Sequence, residues 1–139
     1  MKIDDRVLQI GAPILRKQCA AVAAGRFGGA WLRSVADALV RAMDARDGVG
    51  MAAPQIGVDA RVFAARVSAE TARFWNRTAA LRVAATPLPL MVAVNPVVVE
   101  ADEETETLFE ECLSVDGIAA PIERSTRVRI RACGLDGRP

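Results

Sequence analysis

The sequence predicts an α+β fold, on two observations: one strongly amphipathic helical segment, and three later runs rich in β-branched residues that are separated by turn signals. From 31 to 46 the apolar residues Trp31, Val35, Leu39 and Met43 recur every four positions, with Ala38 and Ala42 beside them and Arg33, Asp37, Arg41 and Asp44 elsewhere. That period is helical, and glycines bracket it: Gly28 and Gly29 before, Gly48 after, the last placed for a C-terminal cap. Segments 62–67, 90–99 and 126–132 read as strands. The third alternates Val128, Ile130 and Ala132 with Arg127, Arg129 and Arg131, which predicts one face on a core and the other in water. Pro96 argues for a sheet edge, or for a break after Asn95. Between the first two strands, 68–85 is a long connection with a helical turn expected around Phe74 and Trp75, and Thr86-Pro87-Leu88-Pro89 marks a turn.

The 139 residues, 52% of them hydrophobic and 25% charged, suit one domain over 1–139. Eighteen basic against seventeen acidic side chains leave a net charge of +1, which removes the global footprint of a nucleic-acid binder. Locally the balance is uneven: 100–123 carries nine acids and no base, and the run 100–106 reads as a solvated loop or edge. Acids at Asp4 and Asp5 fill the place of a signal peptide's apolar region, and no stretch approaches the ~20 apolar residues of a membrane span. A cytoplasmic location is the expectation. The chain has no histidine, so imidazole chemistry is excluded within it. Its three cysteines, Cys19, Cys112 and Cys133, are far apart and show no CxxC spacing, which suggests reduced thiols rather than a disulfide framework or a zinc ribbon.

Two segments concentrate chemistry. Segment 48–57, GVGMAAPQIG, formally contains GxGxxA, but a helix precedes it and Pro54 lies where a first helical turn would need backbone donors, so a dinucleotide loop is disfavoured. It offers instead a close-approach turn followed by Gln55, whose side-chain amide can donate to a carbonyl oxygen. The bland alternative is a tight connection with a satisfied, buried Gln. Segment 110–114, EECLS, sets the Cys112 thiol among carboxylates, which disfavours a nucleophilic thiolate unless a metal holds it. As a small buried hydrophobe, each cysteine has an equally simple reading.

Together these segments resemble the two signatures of the peptide deformylase family, GxGxAAPQxG and EGCLS, in the family's order. Further likenesses run along the chain: GAPILR at 11–16, Val94-Asn95-Pro96, and LDGRP at 135–139. The resemblance implies a mixed, largely antiparallel sheet with helices, and metal-dependent hydrolysis of the formyl group of N-formylmethionyl peptides on chains emerging from the ribosome. In the family a divalent metal, iron(II) or in preparations zinc or nickel, is held by the motif cysteine, matched by Cys112, and by the two histidines of a helical HExxH. Metal-bound water attacks the formyl carbon, and the HExxH glutamate moves the proton. The implied oxyanion donors are the Gln55 side chain and the Leu113 backbone N–H, the implied peptide cleft is lined by Val49 and Gly50, and Glu110 is implied as a supporting group of the metal site.

Two departures stand out. Glu111 replaces the motif glycine, putting a charge beside Cys112 where peptide backbone should pair. HExxH, with its central C-terminal helix, is absent from residues 1–139, and one cysteine falls short of the three protein ligands typical of a catalytic site. The expectation is that this chain is the N-terminal portion of a deformylase, inactive alone and binding no metal stably. The alternative is a non-catalytic, deformylase-like peptide-binding or interaction protein, prone to self-association through the surface that the helix would cover.

Overall fold

A computed structural model describes residues 3–77 and 85–139. Helix α1, Ala30–Asp44, buries Leu32, Val35, Ala36, Leu39, Ala42 and Met43, the stripe that a 3.6-residue period places on one face. It packs on strands β1, Gly50–Ala52, and β2, Val62–Val67, where Met51, Val62 and Ala64 complete the core. Strands β3, Leu88–Ala101, and β6, Val128–Cys133, extend this sheet in the order β1-β2-β3-β6, every pair antiparallel. Strands β4, Thr105–Cys112, and β5, Val115–Ser125, form a separate two-stranded hairpin. The α+β class expected from the sequence is the class observed.

Several local readings are corrected. The left-handed residue after α1 is Asp47, at φ 49°, and not Gly48. Gly48 is needed for a different reason: a Cβ there would lie 2.7 Å from the Leu113 Cδ1 atom. Pro96 does not end its strand. Instead β3 bulges between Val94 and Val97, with Asn95 at φ 52°. The Asn95 side-chain amide then ties down the N-terminal segment, accepting from the Val22 N–H at 2.8 Å and donating to the Val22 carbonyl at 2.9 Å. The helical turn expected near Phe74 is helix α2, Ala69–Arg77, whose start is capped by Ser68 Oγ accepting from the Thr71 N–H at 2.9 Å. Residues 78–84 of that connection lie outside the described residues. The turn expected at 86–89 is half strand, since β3 begins at Leu88.

Two findings concern the distal half of the sheet. The acidic stretch is part loop and part solvated strand end: Glu100 and Ala101 end β3, Thr105 and Glu106 open β4, and all four are exposed. The alternation in β6 does not bury its apolar side. Val128 and Ile130 are 51% and 42% exposed, and Val98, opposite Ile130, is 61% exposed. The helix that shields β1 and β2 does not cover this end.

Candidate active site

The two chemistry-bearing segments meet. Strand β1 leads into a 3-10 turn, Ala53–Ile56, in which Pro54 in the first turn fixes φ just before Gln55. The Ala52 N–H donates to Gln55 Oε1 at 2.8 Å, which sets the orientation of the amide. Its Nε2 then donates to Ser114 Oγ at 3.2 Å and approaches Cys112 Sγ at 3.7 Å. Cys112 ends β4 and Ser114 precedes β5, so the thiol and the hydroxyl sit at the tight turn of the hairpin.

The N-terminal segment ties this turn to Gln55. The Leu8 N–H donates to the Gln55 carbonyl at 2.7 Å, the Ile10 N–H to the Ser114 carbonyl at 2.8 Å, and Gln9 Nε2 to the Leu113 carbonyl at 3.1 Å. Arg46, just past α1, forms an ion pair with Asp116 on β5. Beside Gln55 lies a cavity of about 570 Å³, lined by Ile10, Leu15, Arg16, Gln55, Cys112 and Ser114 among others.

The remaining sequence-nominated residues have distinct placements. Val49 is half-buried, and its carbonyl accepts from the Arg66 N–H at 2.9 Å. Gly50 is exposed at the start of β1, which pairs only with β2 among the described strands and so keeps one edge open. Leu113 packs its side chain against the core. Glu110 is held by Arg124 through two bonds, 2.7 and 2.6 Å, and the bonded guanidinium holds its carboxyl below the usual carboxylate range. Glu111, opposite Ala119, is exposed.

Sequence reasoning missed three partners. Ser114 is the buried polar side chain of the described residues, at 4% exposure, and its place inside EECLS was the available signal. Gln9 and Arg124 carry no local signal. Their roles depend on folding, over 104 positions from Gln9 to Leu113 and across a strand pair from Arg124 to Glu110. Away from the site, Cys19 is half-buried, and its thiol is pushed up by burial and by nearby Asp59, which itself pairs with Lys17 at 2.6 Å. Cys112, unlike Cys19 and Cys133, is exposed, so the buried-hydrophobe reading fails for it.

Among the described residues no three His, Cys, Asp or Glu side chains converge, and the carboxylate of Glu110 is already engaged by Arg124. One exposed thiol does not fit a catalytic metal, for which three protein ligands are typical.

The open edge strand of this antiparallel sheet leads to a fixed carboxamide and a thiol, on a fold shared with solved deformylases. The class I type b peptide deformylase from Acinetobacter baumannii, solved bound to Met-Ala-Ser, superposes with a TM-score of 0.83 at 29% identity, covering 99% of this chain and 81% of that one. The peptide deformylase of Thermotoga maritima gives a TM-score of 0.76 at 29% identity, over 96% of this chain and 76% of that one. The chain belongs to the polypeptide deformylase family, whose model matches residues 5–139. It is 32% identical over 138 residues to peptide deformylase 1A, chloroplastic/mitochondrial, of Arabidopsis thaliana, and 38% identical over 131 residues to the mitochondrial peptide deformylase of Homo sapiens. Those matches span 51% and 53% of the two relatives, about half of their length. No helix among the described residues is long and apolar enough to cross a membrane.

Proposed function

We propose that residues 1–139 supply the peptide cleft and the carbonyl-polarising amide of a peptide deformylase, acting in the cytoplasm on N-formylmethionyl ends of chains leaving the ribosome. Hydrolysis to formate then requires metal ligands and a base from outside these residues. The observation that carries this reading is the Gln55 amide, locked by Ala52 and turned toward Cys112 and Ser114 beside the cavity. A peptide lying extended along the open edge of β1 would pair with the exposed Gly50 backbone, as in strand addition. Its formyl oxygen would then take a hydrogen bond from Gln55 Nε2, with the Leu113 N–H as second donor where negative charge develops. Glu110, bound to Arg124, keeps the Cys112 strand in register with β5. Glu111 adds charge to the cleft rim.

The test compares formate release from formyl-Met-Ala-Ser, with iron(II) supplied, by the 139-residue chain and by the same chain extended after Pro139 with an HExxH-bearing segment. The first is expected to release none. The second should hydrolyse the peptide and lose that activity in Cys112→Ala. Formate from the unextended chain would overturn the division of labour. An inactive but folded extended chain would favour a non-catalytic interaction protein.

A further inference from the structure

Residues 8–10 touch both halves of the site. The Leu8 N–H donates to the Gln55 carbonyl at 2.7 Å, and the Ile10 N–H to the Ser114 carbonyl at 2.8 Å. Between these two backbone ties stands the side chain of Gln9. Its Nε2 donates to the Leu113 carbonyl at 3.1 Å, and its Oε1 accepts from the Asp116 N–H at 3.3 Å. One carboxamide thus spans the tight turn that closes the β4–β5 hairpin.

That grip falls where the strand ladder ends. Cys112 pairs with Val115 across the hairpin, while the Leu113–Ser114 peptide between them belongs to neither strand. This is the middle peptide of the turn, the plane whose rotation distinguishes one turn type from another. Gln9 holds its carbonyl, and Ile10 holds the carbonyl that follows. With Cys112 paired on one side and the middle peptide anchored on the other, the turn keeps one form and its Leu113 N–H one direction. That N–H meets no acceptor among the described residues. The ties from Gln55 to Cys112 and Ser114, and from Arg46 to Asp116, end on side chains and leave the middle peptide untouched.

We infer that Gln9 is a positioning residue of the site: its side-chain amide fixes the turn that presents the Leu113 N–H to the formyl oxygen, and residues 8–10 together set the spacing between that donor and Gln55. The inference rests on the peptide-cleft reading above and deepens it. Gln9 acts through the turn, as an exposed polar clamp on backbone that the sheet does not hold.

The ¹⁵N-labelled 139-residue chain would be titrated with formyl-Met-Ala-Ser, following the Gly50 and Leu113 amides in the native chain and in Gln9→Leu, Gln9→Lys and Arg46→Met. Both amides should shift in the native chain. Gln9→Leu is expected to keep the Gly50 shift, lose most of the Leu113 shift and bind about three- to tenfold more weakly, the range that one net hydrogen bond carries. Gln9→Lys keeps a donor within reach of the Leu113 carbonyl and should restore both. Arg46→Met loosens the same hairpin without touching that carbonyl and should behave as the native chain does. A native Leu113 shift and affinity in Gln9→Leu would overturn the role, as would a lysine variant no better than leucine. An equal loss in Arg46→Met would overturn it too, because Gln9 would then only dock the hairpin. If the native chain shifts neither Gly50 nor Leu113, the cleft reading fails, and the positioning role with it.

Discussion

Gln55 organises the site, and replacing it by leucine separates its structural work from simple occupancy. Leucine has similar bulk and no polar atoms. The substitution strips the partner from the Ala52 N–H at 2.8 Å and from the buried Ser114 hydroxyl at 3.2 Å, while the 3.7 Å approach to Cys112 adds little. Leaving one half-buried amide and one buried hydroxyl unpaired costs about 2–3 kcal/mol together. A chain of this size loses roughly 3 °C of Tm per kcal/mol, so a fall of ~6–9 °C is expected. Gln55→Glu keeps the acceptor for Ala52 and lets the Ser114 hydroxyl reverse its role and donate, so its loss should stay below about 1 kcal/mol at neutral pH. Urea titration, with thermal melting as a check, reads both, and an unchanged m-value confirms that the same surface unfolds. Ser114→Ala in the Gln55→Leu background should cost less than in the native chain, by about 1 kcal/mol of coupling. A leucine variant within about 0.5 kcal/mol of the native chain, or strictly additive Gln55 and Ser114 losses, would refute the arrangement.

Three further outcomes are expected. Arg124 lowers the carboxyl of Glu110 in the folded state, so the stability from this pair is present above the unfolded pKa of about 4.3 and is lost as pH falls through the lower folded value. Glu110→Gln should therefore cost about 0.5–1 kcal/mol at pH 7, less in high salt, and nothing in strong acid, read from urea midpoints across that range. Asn95→Ala removes both bonds to Val22 and places a Cβ residue without a polar anchor at φ 52°, for an expected loss of about 2–4 kcal/mol by calorimetry. Gly48→Ala drives a methyl against Leu113 Cδ1, and because that side chain can rotate the loss should be only about 1 kcal/mol, with amide shifts centred on Cys112 to Ser114 in NMR spectra.

Elements whose signal is local were legible in the sequence. The stripe from Trp31 to Met43 marks α1 because a helix repeats its environment within one segment, and the β-branched run marks β2, Val62–Val67, residue for residue. The hairpin β4–β5 was not seen, since acidic residues weaken the strand signal and its order comes from partners such as Phe109 opposite Pro121 and Leu108 opposite Ile122. Asp47 took the left-handed position expected to need glycine because aspartate tolerates it, while Gly48 answers to Leu113, a residue 65 positions away. At the site, Gln55 and Cys112 stood out by residue type and motif. Ser114 needed its burial, and Gln9 its docked position, to declare what they do.

The bond from Gln55 to Cys112 joins residues 57 positions apart, and those to the 113–114 turn from the N-terminal segment span more than a hundred. Neither the α1–β2 half nor the hairpin holds the assembled cluster alone. Gln55 therefore meets its counterparts only once residues 112–114 have been made and docked on the N-terminal segment. A chain opening briefly at the hairpin would lose the bonds to Leu113 and Ser114 together while Ala52 keeps its local bond to Gln55, so hydrogen exchange at Ile10 should report that opening.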